Sequence, residues 1–137
     1  MVDLAHDPDM GRILRARRSF AVNEVCFTEE PFLIANSADE VEKVSVALPA
    51  AEQKRFWEFQ HDVDETGRKD VASVWDLNAY QTDASGGRGL YELIAKIPHA
   101  CSPNVSIAVD PDAPHLGRVV ALVERFDIEP YSDFSAK

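Results

Sequence analysis

Two cysteines, Cys26 and Cys101, stand in 137 residues. That is too few for a disulfide framework or a cysteine-built zinc site, so two buried free thiols are expected. No apolar run approaches the ~18 residues of a membrane span, which excludes a transmembrane helix. The opening "MVDLAHDPDM" carries aspartates and lacks the basic-then-apolar order of a signal peptide. The chain therefore reads as intracellular, nuclear or cytoplasmic, in a reducing compartment. Basic charge is scarce too: 14 Lys and Arg face 24 Asp and Glu, a formal net charge of -10. Binding nucleic acid by phosphate neutralisation needs a basic face, so that class is excluded, whereas a basic protein partner suits the charge. Arg12, Arg15, Arg17 and Arg18 run against the trend, but a strand would divide them between its two faces. There is no internal repeat and no low-complexity tract.

What is present reads as one domain, able to bury about two-thirds of its unfolded surface. Residues 13–20 and 25–35 are rich in β-formers around "AVNE", which predicts an antiparallel hairpin, with Pro31 bending its second strand or placing it at an edge. Ser37 with Glu40 makes a capping-box pattern, and Val41, Val44 and Leu48 follow at helical spacing. After Pro49, Phe56, Phe59 and Val63 predict one face of a second helix with Trp57 alongside, and Val71, Val74 and Trp75 predict a third up to about Leu77. "TDASGGRG" holds three of the six glycines and reads as a loop, while "LYELIAK" fits either a short helix or a buried strand. Val105, Ile107 and Val109 alternate with polar or small residues, and "DPDAPH" turns the chain into "GRVVALVE" as a second hairpin. Strands at both ends around a helical insert of about residues 37–77 make an α+β fold.

The chemistry-bearing segment is "KIPHACSPNVSIAV". A zinc site on His99 and Cys101 lacks ligands, because a zinc ion wants about four and His6, His61 and His115 show no ligand spacing. A Cys101–His99 nucleophile pair lacks an orienting third group. Local chemistry alone favours a packed loop in which Pro103 fixes the backbone and Asn104 caps it.

Taken in order, "GRILRARRSFAVNEVCFTEEPFL", "LNAYQT", "GGRGLYELIAKIPHACSPNVSIAV" and "VVALVERFDIEPYSDFSAK" resemble the SET-domain protein-lysine methyltransferases, especially the class that often carries a MYND zinc finger. The family's first segment reads G-x-G-L-x-A-x-x-x-I-x-x-G-E-x-x-x-x-E-x-P, and Gly11, Leu14, Ala16, Glu24, Glu29 and Pro31 fall in matching places. Its central segment reads N-H-S-C-x-P-N, matched by His99, Cys101, Pro103 and Asn104. Its last reads D-I-x-x-G-E-E-L-T-x-x-Y, matched by Asp127 and Ile128. The MYND finger has no counterpart, since its cysteine-rich pattern is absent.

The resemblance implies a SET-domain β-fold of small antiparallel sheets, with the C-terminal strand threaded through the central loop as a pseudoknot and a helical insert where that class adds its extra module. It implies S-adenosylmethionine as cofactor, met by backbone at Arg12, Ile13 and Leu14, by Asn78 in "LNAYQT", and by Pro98 and His99 in the central segment. The reaction implied is in-line methyl transfer from a sulfonium to a neutral lysine amine, on a basic protein segment such as a histone tail. Lysine's ordinary pKa is near 10.4, so the site must desolvate it and hold it aligned. No metal is implied. The chain departs from the pattern at three places: Ile13 replaces the second glycine, Pro98 replaces the asparagine of N-H-S-C, and the catalytic tyrosine would follow Lys137. Tyr131, Ser132 and Asp133 replace the glycine and glutamates of the last motif, and the post-SET segment has no counterpart. A second expectation follows, a catalytically inactive SET-like module kept for interaction or regulation.

Overall fold

The structure is a computed structural model that describes residues 2–8, 11–81, 87–98, 103–110, 112, 118–123 and 128–136. The chain divides into two compact units, Met1–Glu30 with Leu93–Lys137, and Pro31–Glu92.

The first unit opens with an antiparallel hairpin of β1 (Val2–Asp7) and β2 (Gly11–Ala16), in register from Val2 opposite Ala16 to Asp7 opposite Gly11. β3 (Val25–Glu29) does not return along β2 as the sequence predicts. It pairs with a strand almost a hundred residues later, giving a second sheet in the order β3, β8 (Val119–Val123), β7 (Val105–Val109). β-propensity marked both strands correctly, but pairing is a long-range choice that propensity does not carry. β7 and β8 do form the predicted hairpin, Val105 opposite Val123. β8 is the central strand of its sheet, which suits its unbroken apolar sequence.

The core of this unit joins Leu14, Ala16, Phe20, Cys26, Ile97, Val105, Ala121, Val123, Ile128 and Phe134. Each of its large side chains, fully buried, contributes roughly 1.5–3 kcal/mol. Phe20 and Phe134 meet at 6.2 Å between ring centres. Between β2 and β3, Glu24 accepts hydrogen bonds from Arg18 Nη2 at 2.5 Å and from the Ala21 amide at 3.3 Å, while the Arg18 guanidinium lies 4.1 Å from the centre of the Phe20 ring. The Arg18 bond is the larger cause of a Glu24 pKa held below the usual carboxylate value.

The second unit sets the three-stranded sheet β4 (Leu33–Ala35), β6 (Arg88–Leu90), β5 (Tyr80–Gln81) with three helices. β4 alternates cleanly, Leu33 and Ala35 buried and Ile34 exposed. The Ser37 half of the capping box forms at α1 (Ala38–Val46), Ser37 Oγ accepting from the Glu40 amide, while Glu40 Oε2 reaches one residue past the N-cap to accept from the Asn36 amide. α2 (Ala50–Phe56) is shorter than the spacing predicts. Phe56 and Phe59 are buried, but Val63 is 56% exposed and bridges to Lys69. Asp64 Oδ1 accepts from the Thr66 amide, the Thr66 hydroxyl and the Arg68 amide, and Gly67 takes φ 82. These local bonds draw residues 64–68 into a turn, after the helix has already closed with the Glu58 amide donating to Arg55 O and the Phe59 amide to Phe56 O. α3 (Val71–Asn78) starts on Asp70, whose carboxylate accepts from the Ala72 amide. "LYELIAK" proves to be neither alternative in full: Leu90 closes β6, and Ile94–Lys96 forms a 3-10 turn in the first unit. Leu33, Ala35, Val41, Phe56, Phe59, Val74, Trp75 and Leu90 make the second unit's own core. Among the described residues no helix is long and apolar enough to cross a membrane.

Candidate functional site

Within the first unit, the C-terminal segment is held along both edges. On one side the Ala16 amide donates to Ser132 O at 2.8 Å, the Tyr131 amide to Ala16 O at 2.7 Å, and the Phe134 amide to Leu14 O at 3.0 Å. On the other side the Ala136 amide donates to Pro98 O at 3.0 Å, and the Val105 amide to Ser135 O at 3.1 Å. Asn104 clasps the same segment with its side chain. Its Nδ2 donates to Asp133 O at 2.8 Å and its Oδ1 accepts from the Ser135 amide at 2.8 Å, while Ser135 Oγ accepts from the Asn104 amide at 3.2 Å. Asp133 is fixed further by Arg15 Nε at 2.6 Å. The described bonds of Asn104 go to the distant segment 133–135, not to the loop that the sequence expects it to cap.

Arg12, Ile13 and Leu14 lie together on β2, Arg12 exposed, Ile13 and Leu14 buried. Strand residues turn their backbone groups to alternate edges. Since Leu14 and Ala16 face the C-terminal segment, Arg12 faces that same edge one step beyond Phe134, and Ile13 faces β1. Pro98 is half-buried and bonded through its carbonyl to Ala136. The structure therefore brings Leu14 and Pro98 to opposite edges of one segment. Asn78 belongs to the second unit, where its Nδ2 donates to Gln60 O at 2.7 Å and to Val74 O at 2.8 Å. His99, Cys101 and Asp127 lie outside the described residues. Among the described residues no three His, Cys, Asp or Glu side chains converge as a metal ion would require.

Sequence reasoning missed Ser135 and the Arg15–Asp133 pair, for which short-range pattern offers no signal. The motif match places Glu29 but gives it no role. Glu29 accepts at both carboxylate oxygens, from the Leu93 amide at 2.8 Å and the Ile94 amide at 3.0 Å, and so anchors the turn that leads towards Pro98.

Backbone conformation adds a second kind of evidence. Among the described residues two non-glycine residues have positive φ, Asn23 at 68° and Tyr131 at 65°. Both occupy positions at which the resembled motifs carry glycine. Left-handed backbone favours glycine, the residue those motifs carry at the two positions.

A solved structure from Plasmodium falciparum, described as that of a "putative histone methyltransferase", superimposes on 100% of this chain and 96% of its own, with a TM-score of 0.56 and 7% sequence identity. The two chains share a fold. It is the small α+β architecture of antiparallel sheets and a few helices, compatible with a SET-like fold. At that identity the likeness carries the fold alone. No protein-family model and no curated protein matches the sequence.

Proposed function

We propose that this chain is a SET-type domain of the protein-lysine methyltransferase class, whose acceptor is a lysine in a basic protein segment such as a histone tail. The observation that carries the reading is the C-terminal segment bonded on both edges, to β2 and to residues 98–105, with Asn104 as its clasp. That is the arrangement the family's pseudoknot would require. The fold shared with a protein described as a histone methyltransferase supports it, and so do the two left-handed residues at glycine positions.

The cofactor implied is S-adenosylmethionine, which would supply the methyl group. Its carboxylate and adenine call for hydrogen-bond donors, and the described residues fit that demand poorly. Both Asn78 amide hydrogens are spent on backbone carbonyls, Pro98 has no N–H, and the Ile13 side chain is packed away at 1% exposure. This mismatch favours a second reading, a SET-like scaffold serving as an interaction or regulatory module.

Titration of the purified chain with S-adenosylmethionine and its demethylated product separates the two. Saturable binding, tightened by Ile13→Gly with Pro98→Asn, supports the methyltransferase reading. A folded chain that binds neither form of the cofactor, with or without those substitutions, leaves the module.

A further inference from the structure

We propose that the exposed turn Glu129–Asp133 is a docking point for an arginine-rich or lysine-rich protein segment, with the Tyr131 ring as its contact face. Tyr131 is 77% exposed, the most exposed of the large hydrophobic side chains among the described residues, so the fold gains little from burying its ring. Its backbone nevertheless sits at φ 65, in the left-handed region that a bulky side chain disfavours. The conformation is imposed by pairing: the Tyr131 amide donates to Ala16 O, and the Ser132 amide donates back to Glu129 O at 3.3 Å across the turn. Glycine would meet the same geometry without strain. Strain retained for an exposed aromatic ring points to a use outside the fold.

The chemistry around the ring selects the partner. Glu129 and Pro130 are exposed beside it, and Asp133 is exposed with its Oδ1 held by Arg15. An aromatic face next to carboxylate attracts a guanidinium or ammonium group, with Pro130 offering apolar surface to the side chain's stem. The net charge of -10 draws such a segment in from solution. The backbone that carries the ring is held by pairing to Ala16, and a tyrosine has only two χ angles to fix on contact. This docking does not rest on methyl transfer and needs no cofactor.

The test is a titration, without cofactor, of the chain and three variants with an unstructured peptide of alternating arginine, serine and glycine. A peptide with glutamate in place of arginine is the control. Tyr131→Gly is expected to raise the melting temperature by a few degrees yet weaken binding about fivefold, the size an exposed cation–π contact supplies. Tyr131→Phe should bind within about twofold of the parent, and Glu129→Gln should weaken binding and flatten its salt dependence. A structural role for the ring would move stability and affinity together, not in opposite senses. The proposal is overturned if the arginine peptide fails to bind, if the glutamate peptide binds as well, or if Tyr131→Gly binds undiminished. It is equally overturned if light scattering shows a second copy of the chain taking the place that Tyr131→Gly abolishes.

Discussion

Asn104 connects its own loop to a segment some thirty residues on, through bonds on both ends of its amide. Each bond contributes about 1 kcal/mol net, and removing the side chain leaves the half-buried Ser135 amide and the exposed Asp133 carbonyl without it. Asn104→Ala should therefore lower unfolding free energy by about 2–3 kcal/mol in urea denaturation. A loss under ~0.5 kcal/mol, the scale of an ordinary surface change, would show the clasp to be incidental. Cys26 allows a test by pH. Burial first, then the Glu24 charge, pushes its thiol up from 9.0 to about 11. The folded state keeps the proton longer than the unfolded one, so this contribution is whole below pH 9.0 and is lost as pH rises towards about 11. The half-buried Tyr80 hydroxyl, also raised by burial, acts in the same sense. Stability should fall across that window, less steeply in Cys26→Ala, and alkylation at Cys26 near neutral pH, located by mass spectrometry, should be slow until the chain unfolds. Asn104 was legible in advance because it sits in a short motif. The left-handed Tyr131 was not, because its conformation comes from pairing with Ala16 and its residue type argues the other way.

Among the elements, those governed by neighbours in sequence could be read and those governed by distant partners could not. The Ser37–Glu40 box predicts α1 because all its bonds close within a few residues. The β7–β8 hairpin is similarly local. β2 and β3 were assigned to each other for the same reason, adjacency, and here adjacency misleads: β2 lies between β1 and the C-terminal segment, and β3 pairs with β8. α2 stops at Phe56 where the ladder tightens into three-residue turns, the Glu58 amide donating to Arg55 O and the Phe59 amide to Phe56 O. Glu29 shows how one side chain can fix an element far away. Its two accepted bonds anchor the start of the 3-10 turn, and charged acceptors make stronger bonds than neutral ones. Glu29→Ala should cost about 2 kcal/mol, while Glu29→Gln, which keeps one acceptor oxygen, should cost less. Chemical denaturation of both variants checks the order. Equal losses would mean that the charge and the second acceptor contribute nothing.

At the scale of the whole molecule, the α+β class followed from the order of element types, yet the division into units depends on contacts no linear pattern records. Every residue of the first unit's core comes from before Pro31 or after Glu92, and every residue of the second unit's core lies between them. The two ends of the first unit's break are already held together, because Glu29 on one side accepts from the Leu93 and Ile94 amides on the other. A Gly-Ser linker of about six residues, with a root-mean-square reach of about 13 Å, should therefore replace residues 31–92 without forcing that junction apart. The shortened chain is expected to keep a β-rich far-UV spectrum, to unfold cooperatively, and to protect Cys26 from alkylation as the full chain does. A chain with that spectrum but no cooperative transition and a freely reactive Cys26 would mean that the first unit's packing depends on residues 31–92. Docking at Glu129–Asp133 belongs to the first unit and should survive the replacement.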